Sequence, residues 1–445
     1  MAPKQTRTEG QSSAKKAENT QQWLTSREAQ KLSYGVVKNA GVPQDYEQMQ
    51  TQVQLSSGNK LDYDDSMPIV TTLPNLGLGA TLEKFPDGWT ECLISGYLKK
   101  KIVNTPGFPA AIPRPPIARH RIAESPGKGL GMFAACNIKP GELVLAERPL
   151  IIAPRAIFGV RVAGRVPRHY TDEQYRQVTM FERERNLNLV TGRMAPERLE
   201  PLMSLANCHL QDGSGPILGI IRTNGFQAEE IRDKANTSES YYSVVCNELS
   251  RMNHSCSPNV ARHWDTASFS MQIFAVRAIK EGEEITTEYC DLLAPAAQRQ
   301  AELAPYGISQ CVCPSCSNPA VSDPLRARIR VISRKMDDAG GWMNLDFPEK
   351  PDVKPLLGDL ITIAKEGLEE LDEYGYILWE LFKTYATLQD SKNMLAYRQK
   401  HKAWKAAIYP DDAPEYEAGI DDLLKLMKFG NLSLNKMMKG KGKAA

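Results

Sequence analysis

Apolar residues between Leu249 and Tyr289 follow the two-residue period of β-strands. MQIFAVRAIK alternates and then becomes apolar, a Lys-Glu-Gly-Glu turn follows, and ITTEY is β-branched and aromatic. This pattern predicts a loop, a strand, a turn and a second strand that carries Tyr289 at its end. Upstream, NIKPGELVLAERPLII predicts a turn at Pro140–Gly141 and then a strand that ends near Ile152.

Helical spacing of apolar residues occurs in two N-terminal segments. One is Gln21–Ala40. The other is FPDGWTECLISGYLKKK, in which four residues are predicted to form one buried helical face: Trp89, Leu93, Ile94 and Tyr97. A stiff, proline-rich segment, TPGFPAAIPRPPIARH, then leads into the main domain.

Long helices are also predicted in the C-terminal part of the chain. From Asp323 onward, apolar residues mark three helix faces, and helix pairs recur at about 34 residues, a spacing that favours tetratricopeptide-like stacking. An ordinary helical bundle packed on the rest of the protein fits the same pattern equally well. Strands followed by helices predict an α+β fold.

These patterns divide the chain into five segments. We predict an N-terminal extension at 1–115, partly disordered and ending in the proline-rich linker; a mostly-β domain at 116–293 with a helical insert at about 153–240; a cysteine-bearing segment at 294–318; a helical domain at 319–430; and a basic tail at 431–445.

Composition and charge narrow the classes of function. A hydrophobic content of 42% and a net charge of +2 are typical of a soluble protein and give no case for a membrane or a specific nucleic-acid partner. No apolar run is long enough to cross a bilayer, and the N-terminus lacks the apolar core of a secretory signal. Nine cysteines, three of them crowded together near residue 313, indicate metal-bound thiolates in a reducing compartment. We therefore expect a nuclear or cytosolic protein.

Four short motifs carry the candidate chemistry: GKGLGMFA, RMNHSCSPN, GEEITTEYCD and CVCPSC. Glycines permit positive φ and close approach of the backbone to a ligand, although a run such as the first motif more often makes a hairpin turn. The last motif offers three thiols, one fewer than a tetrahedral zinc site requires. The candidates for the fourth ligand are Cys256, Cys290 and Cys246.

Taken together, the motifs resemble the SET domain, the fold of S-adenosylmethionine-dependent protein-lysine methyltransferases. NHSCSPN and EGEEITTEYCD match its two signature motifs, SPGKGLGMFAACNIKPGELVLAERPL is similar to its opening, and YGISQCVCPSC resembles its post-SET tail. The resemblance implies a mostly-β fold with a pseudoknot that brings the NHSC loop to the EYCD strand. The cysteine arrangement is closest to the MYND-type branch, but the sequence lacks that branch's zinc-finger motif.

The resemblance also implies a role for each site residue. Tyr289 would be the catalytic tyrosine. S-adenosylmethionine would contact Lys128, Gly129, Leu130, Gly131, Asn224, Asn253, His254, Tyr289, Tyr306 and Ile308. Zinc would be bound by Cys256, Cys311, Cys313 and Cys316, and would clamp the tail onto the catalytic core. From the residues alone, Tyr289 also fits a core aromatic and Asn224 a helix cap or a core position.

One position departs from the family pattern. YGISQC has Ile308 where the family usually has an aromatic residue, with one extra residue before Cys311. This change weakens the implied stacking platform for adenine. Three hypotheses follow: a lysine methyltransferase acting on a histone or another protein, a SET-like scaffold that binds protein partners through its helical C-terminal region, or a methyltransferase for another class of acceptor.

Overall fold

The computed structural model describes residues 41–412, apart from 48–52, 57, 59, 78–79, 156–165, 235–239 and 339–346. The predicted helix at Gln21–Ala40 and the predicted basic tail at 431–445 lie outside the described residues.

Thirteen strands form three sheets within these described ranges. The strands are β1 (Gln54–Leu55), β2 (Pro68–Leu73), β3 (Thr90–Ser95), β4 (His120–Ser125), β5 (Gly129–Ala134), β6 (Leu143–Glu147), β7 (Ile151–Pro154), β8 (Phe226–Arg232), β9 (Tyr241–Val245), β10 (Asn253–His254), β11 (Val260–Asp265), β12 (Ser270–Ala275) and β13 (Glu284–Thr287). The sheet orders are β1-β2-β3-β7-β9-β8, β10-β13-β5-β4 and β11-β12-β6. The two strands predicted around the Lys280–Gly282 turn are confirmed as β12 and β13.

Ten α-helices accompany the sheets in the described part of the chain. They are α1 (Gly96–Val103), α2 (Asp172–Thr191), α3 (Pro196–Met203), α4 (Pro216–Asn224), α5 (Ala296–Leu303), α6 (Pro314–Ser317), α7 (Pro319–Asp338), α8 (Val353–Glu366), α9 (Asp372–Thr387) and α10 (Ser391–Ile408). Helices α2 to α4 form the predicted helical insert, and α7 to α10 form the predicted C-terminal helical region. None of the described helices is both long and apolar enough to span a membrane.

The six-stranded sheet joins the N-terminal segment to the main domain. Strand β3 pairs in parallel with β7, with Glu91 opposite Ile151. Strands on either side of the predicted boundary at residue 115 therefore share one sheet. The main core lies between the sheets, where Ile69, Val144 and Ile285 are fully buried.

Two predicted elements differ from the observed ones. The helical face predicted from Trp89 to Tyr97 is wrong, because Thr90–Ser95 is a strand and helix α1 begins only at Gly96. Every residue of that strand is buried, so the alternation that marks a half-buried strand is missing. The single strand predicted to end near Ile152 is two strands, β6 and β7, interrupted around Pro149.

The C-terminal helices pack against the sheet region around a core of their own. Ile363, Leu378 and Trp404 are buried in this core, and Leu292 from the chain just after the sheets joins it. Helix α10 also contacts β11 and β12. The helical region is thus continuous with the rest of the protein, which brings its side chains close to the predicted site.

Candidate active site

A glycine-rich hairpin forms one side of the site. Strands β4 and β5 pair from Ser125 opposite Gly129 onward. The φ angles of Gly127 and Gly129 are 73° and 77°, a region that other residues rarely adopt. Asn253 of β10 reaches this hairpin, because its Nδ2 donates to the carbonyl of Leu130 at 3.2 Å. GKGLGMFA is therefore a hairpin turn, as the residues alone suggested, and it lies against the NH motif.

Glu284 at the start of β13 holds the hairpin and Asn253 together. Its carboxylate accepts hydrogen bonds from Ser125 Oγ at 2.9 Å, Lys128 Nζ at 3.0 Å and Asn253 Nδ2 at 2.8 Å. Burial opposes ionisation, but these donors outweigh it and lower the pKa of Glu284 below its ordinary 4.5. A Cβ on Gly131 would lie 2.7 Å from Glu284 Oε1, so the cluster requires glycine at that position.

Strand pairing places Tyr289 beside the NH motif. Strands β10 and β13 run parallel, with His254 opposite Thr287, and Tyr289 follows two residues later. Its hydroxyl donates to the carbonyl of Met252 at 2.5 Å. Burial, followed by the nearby Tyr306, raises the pKa of the Tyr289 phenol well above its ordinary 10. The phenol is therefore a neutral hydrogen-bonding group at physiological pH.

His254 links this tyrosine to a thiol. Its Nδ1 accepts a hydrogen bond from the backbone N–H of Tyr289 at 3.1 Å, which leaves the ring hydrogen on Nε2. Nε2 lies 3.2 Å from Sγ of Cys256. Burial lowers the pKa of His254 to about 4, in agreement with a neutral ring. The imidazole thus connects the strand end at Tyr289 to the loop at Cys256.

Tyr306 and Ile308 lie on the segment that follows α5. The Tyr306 ring is tilted against Tyr289 with a centroid separation of 4.9 Å. Gln300 fixes the segment, because its Nε2 donates to the Ile308 carbonyl at 2.9 Å while its Oε1 accepts from the backbone N–H of Cys311 at 2.7 Å. The contact of Tyr306 with Tyr289 keeps one aromatic wall at the site, although Ile308 is not aromatic.

Asn224 lies at the C-terminal end of α4 with its side chain already engaged. Its Nδ2 donates to the carbonyls of Ala206 and Ile220, each at 2.7 Å. Its own carbonyl accepts from Ser250 Oγ at 3.0 Å. These bonds fit the helix-cap alternative, and a contact between Asn224 and a cofactor stays a prediction.

Four thiols meet next to His254. The Sγ atoms of Cys256, Cys311, Cys313 and Cys316 lie within 4.8 Å of one another. Cys256 Sγ lies 3.5 Å from Cys316 Sγ and 4.0 Å from Cys311 Sγ. Zinc–sulfur bonds of about 2.3 Å in a tetrahedron separate the sulfurs by about 3.8 Å, so the cluster has the size and donor type of a structural zinc site.

The two other candidates for the fourth ligand lie outside the four-thiol cluster. Cys246 is fully buried in the main core and does not belong to the four-thiol cluster. Cys290 belongs to a second group, with His254 and Cys256, that overlaps the cluster at Cys256, and its Sγ lies 4.0 Å from His254 Nε2. The geometry therefore favours Cys256 as the partner of the C-x-C-x-x-C motif.

Two fully buried arginines flank the thiols. Arg299 Nη2 lies 3.5 Å from Cys316 Sγ, and Nη1 donates to the Ala294 carbonyl at 2.6 Å. Arg326 Nη2 donates to the carbonyl of Cys256 at 2.9 Å. Nearby cations favour thiolates over thiols, as metal ligation requires.

Comparison with known proteins agrees with this geometry. The sequence profile of the SET domain family matches residues 129–290, from the glycine hairpin to the residue after Tyr289. Residues 129–290 are a SET domain. The four-thiol cluster takes Cys256 from inside this SET domain and the other three cysteines from the segment that follows it.

Several curated proteins are similar to the chain. Histone-lysine N-methyltransferase set5 of Schizosaccharomyces pombe is 31% identical over 222 residues, which are 49% of this chain and 58% of that protein. N-lysine methyltransferase SMYD2 of Homo sapiens is 28% identical over 150 residues, 34% of this chain and 29% of that protein. The match thus spans little more than half of the first relative and less than a third of the second.

A solved structure of the SET domain of LSMT bound to lysine and AdoHcy is 16% identical, with a TM-score of 0.25, and the match covers 72% of this chain and 82% of that one. A likeness of this size carries no argument about the site.

Sequence patterns missed several residues of this SET domain site. Glu284 lies within the quoted GEEITTEYCD motif, but only the fold shows that it binds Asn253 and Lys128. Cys208 of the insert was also missed, although its Sγ donates to the Tyr306 carbonyl at 3.3 Å. No local sequence signal connects it to a residue 98 positions away.

Proposed function

We propose that this protein is a protein-lysine N-methyltransferase that uses S-adenosylmethionine. The observation that carries the proposal is the convergence of the glycine hairpin, Asn253 and Tyr289 where β10 pairs with β13. The family of the domain and the printed names of the relatives support the same reaction.

S-adenosylmethionine, when bound, supplies an activated methyl group on a sulfonium. The residues proposed to hold it are the hairpin at Lys128–Gly131, Asn253 and His254, with Asn224, Tyr306 and Ile308 at the periphery. The hairpin fits such a role because nothing lies within 4 Å of a Cβ built on Gly127 or Gly129, so the backbone there faces open space. Leu130, the residue after Gly129, is 48% exposed and can cover a ligand.

Tyr289 is proposed to orient the lysine amine. Only the neutral amine has a lone pair for attack, and a narrow, partly apolar channel favours that form by desolvation. The phenol already donates to Met252, so its oxygen keeps lone pairs that can accept a hydrogen bond from the amine. Because the pKa of Tyr289 is raised, the residue aligns the nucleophile and does not remove its proton.

Zinc is proposed to bind Cys256, Cys311, Cys313 and Cys316. The donor set and spacing fit it, and the ion would tie the segment carrying Tyr306 to the SET domain. Since Tyr306 contacts Tyr289, this tie would keep one wall of the site in place.

Labelled S-adenosylmethionine and a cell extract test the proposal. We expect label on a protein lysine with the wild type and a loss on the order of a hundredfold with Tyr289→Phe, because positioning and hydrogen bonding at the reacting atoms are removed. Tyr170→Phe is the matched control, since its hydroxyl donates to Asp45 on the surface.

The same assay separates the other hypotheses. Stabilisation by the cofactor without any transfer would favour a scaffold, because binding to the folded state alone raises the melting temperature. Label on RNA or on a small molecule would identify another class of acceptor. The scaffold hypothesis is tested because Ile308 stands where the family usually has an aromatic residue.

A further inference from the structure

One thiol of the helical insert contacts the segment that carries the aromatic wall of the proposed site. Cys208 lies in the loop between α3 and α4, and its Sγ donates a hydrogen bond to the carbonyl of Tyr306 at 3.3 Å. The Tyr306 ring in turn packs against Tyr289, with a centroid separation of 4.9 Å. The insert therefore binds the backbone of the same residue whose ring borders the proposed catalytic tyrosine.

The residue after Tyr306 fits closely against this thiol. Gly307 has a φ angle of 74°, in the left-handed region that favours glycine. A Cβ built on it would lie 3.1 Å from Cys208 Sγ. Carbon atoms in good contact are roughly 3.5–4.0 Å apart, and sulfur is larger than carbon. The sulfur thus occupies the space that a side chain at position 307 would need.

Hydrogen bonds within the insert fix the position of Cys208. Its backbone N–H donates to Oγ1 of Thr223 at 3.0 Å, and that hydroxyl donates to the carbonyl of Gly219 at 2.8 Å. Burial raises the pKa of the Cys208 thiol above its ordinary value, so the thiol keeps the hydrogen that it donates to Tyr306. Helix α4 therefore holds the cysteine backbone while the thiol faces the Tyr306 carbonyl.

A buried ionic cluster supports the loop that carries Cys208. Asp212 is fully buried and accepts a hydrogen bond from Nη1 of Arg222 at 2.5 Å. Its carboxylate also lies 2.7 Å from Nδ1 of His209, the residue after Cys208. Burial lowers the pKa of Arg222, while Asp212 and then Tyr306 act against that change, so Tyr306 lies within electrostatic range of the cluster. Buried polar networks rigidify the elements that they join, and the loop is therefore a firm anchor.

The contact with Cys208 is separate from the proposed zinc site. Tyr306 lies five positions before Cys311, the first cysteine of the C-x-C-x-x-C motif. Zinc would hold the segment at its cysteines, whereas Cys208 holds it at the residue that carries the ring. Loss of the thiol bond would let Tyr306 shift against Tyr289 while the four-thiol cluster stayed intact.

We propose that Cys208 is a positioning residue of the lysine site. By holding the Tyr306 carbonyl, its thiol sets where the Tyr306 ring lies, and hence the wall against which the lysine side chain packs. This inference rests on the proposed function and assigns a residue of the insert to substrate binding. The hydroxyl of Tyr289 donates to Met252, which lies outside the insert, so Cys208 affects binding of the lysine more than the transfer step.

Steady-state kinetics tests this role. The probe is an equimolar pool of peptides with one central lysine and randomised flanking residues, methylated by the full chain at saturating labelled S-adenosylmethionine. We expect Cys208→Ala to raise the apparent KM for the pool about fivefold, the change that one lost neutral hydrogen bond produces, while kcat changes less than about twofold. Cys208→Ser should stay within about twofold of the wild-type KM, since its hydroxyl can donate to the same carbonyl.

A second cysteine supplies the matched control. Cys136 is also partly buried, but it packs against the main core, so Cys136→Ala should keep the KM of the wild type. Partial unfolding would lower kcat through the active fraction and leave KM unchanged. The division of the effect between KM and kcat therefore separates positioning of Tyr306 from a general loss of stability.

A double-mutant cycle with Gly307 locates the effect. Gly307→Ala places a methyl group against the sulfur, so it should raise KM in the wild type and have less effect in Cys208→Ala, where the sulfur is gone. Gly77→Ala is the control for backbone strain alone, because Gly77 has a φ angle of 77° and no described atom lies within 4 Å of its added Cβ. Strictly additive changes in KM would contradict the proposed contact.

Alkylation of Cys208 tests the contact without requiring turnover. Its rate with N-ethylmaleimide, followed by mass spectrometry, should rise at least threefold in Gly307→Ala, because the contact that covers the sulfur is forced open. Gly77→Ala should match the wild type. An unchanged KM in Cys208→Ala, no recovery in Cys208→Ser or an unchanged alkylation rate would overturn the inference. Faster alkylation with no methyl transfer by the wild type would retain the contact, but would contradict the methyltransferase proposal and with it the positioning role.

Discussion

At the scale of single residues, the polar side chains of the site form hydrogen bonds with one another. Glu284 is the clearest case, because one carboxylate accepts bonds from a strand, a hairpin lysine and the asparagine of the NH motif. Charge-assisted bonds of this kind fix geometry more strongly than neutral ones. Changes at Glu284 and Gly131 should therefore report on the site even without a substrate.

Glu284 predicts a pH dependence of stability. Its pKa in the folded protein lies below the ordinary 4.5, so its contribution is complete above pH 4.5 and is lost as the pH falls through the folded value. Glu284→Gln should melt at a lower temperature than the wild type near pH 7, and the difference should shrink toward pH 4. Melting curves at the two pH values measure this. Glu349→Gln should follow the wild type throughout, and a difference for Glu284→Gln that grew on acidification would contradict the prediction.

The close packing around Gly131 predicts that any side chain at this position would clash with its neighbours. An added methyl group would lie 2.7 Å from Glu284 Oε1 and 2.9 Å from Asn253 Nδ2. Gly131→Ala should lower the free energy of unfolding by about 1–3 kcal/mol, as other overpacking substitutions do. Gly358→Ala in α8 is the matched control and should stabilise by about 0.5–1 kcal/mol, since it reduces the entropy of the unfolded chain.

Urea unfolding compares the two glycine variants. The nearest atom to a Cβ on Gly358 is 3.8 Å away, so the methyl group fits there without strain. Equal effects of the two substitutions would show that the Gly131 contact is not tight in solution. The proposed binding of S-adenosylmethionine should raise the melting temperature of the wild type, and Gly131→Ala should weaken this stabilisation.

At the scale of elements, the segment after the SET domain is short, and we propose that zinc on its cysteines holds it in place. Helix α6 has four residues, and the preceding turn ends at Tyr306. Segments of this length are not stable alone, because a helix this short cannot offset its nucleation cost. Bound zinc would tie this segment to Cys256, which follows β10.

Metal content tests that anchor. We expect about one zinc per chain by mass spectrometry of the purified protein, which is the stoichiometry of a four-thiolate structural site. Cys316→Ser should lose the metal, because three thiolates remain. Cys290→Ser should keep it, since Cys290 lies outside the four-thiol cluster. Zinc that is retained by Cys316→Ser but lost by Cys290→Ser would contradict this assignment of the four ligands.

Sequence patterns predicted these elements unevenly. Strands β12 and β13 were predictable because each has a β-branched or alternating pattern bounded by a turn. Strand β3 was not, because Thr90–Ser95 is buried on both faces and its apolar spacing also fits a helix. The thiol motif was visible locally, whereas the contact between Cys208 and Tyr306 joins residues 98 positions apart that no short pattern connects.

At the scale of the whole molecule, Arg326 joins three regions that are far apart in sequence. Its guanidinium donates to the carbonyls of Cys256 and Leu292, to Ser315 and to the carboxylate of Glu366. The side chain is fully buried, so its loss would remove a donor from all four groups at once, and among the described residues the Glu366 carboxylate would keep only the hydroxyls of Ser315 and Ser322. The SET domain, the cysteine segment and the C-terminal helices are therefore expected to unfold in one transition.

Arg326→Leu should destabilise the protein by about 3–5 kcal/mol, because it leaves Glu366 as an uncompensated buried charge. Adding Glu366→Gln should cost less than the sum of the two single changes, since both remove the same interaction. Arg330→Leu is the matched control on the same helix. Its partner Asp291 is exposed, so the loss should stay below about 1 kcal/mol. Guanidinium unfolding followed by circular dichroism measures the wild type and the four variants. Strict additivity, or an early separate transition of the helices in the wild type, would mean that Arg326 does not couple the C-terminal region to the thiol cluster.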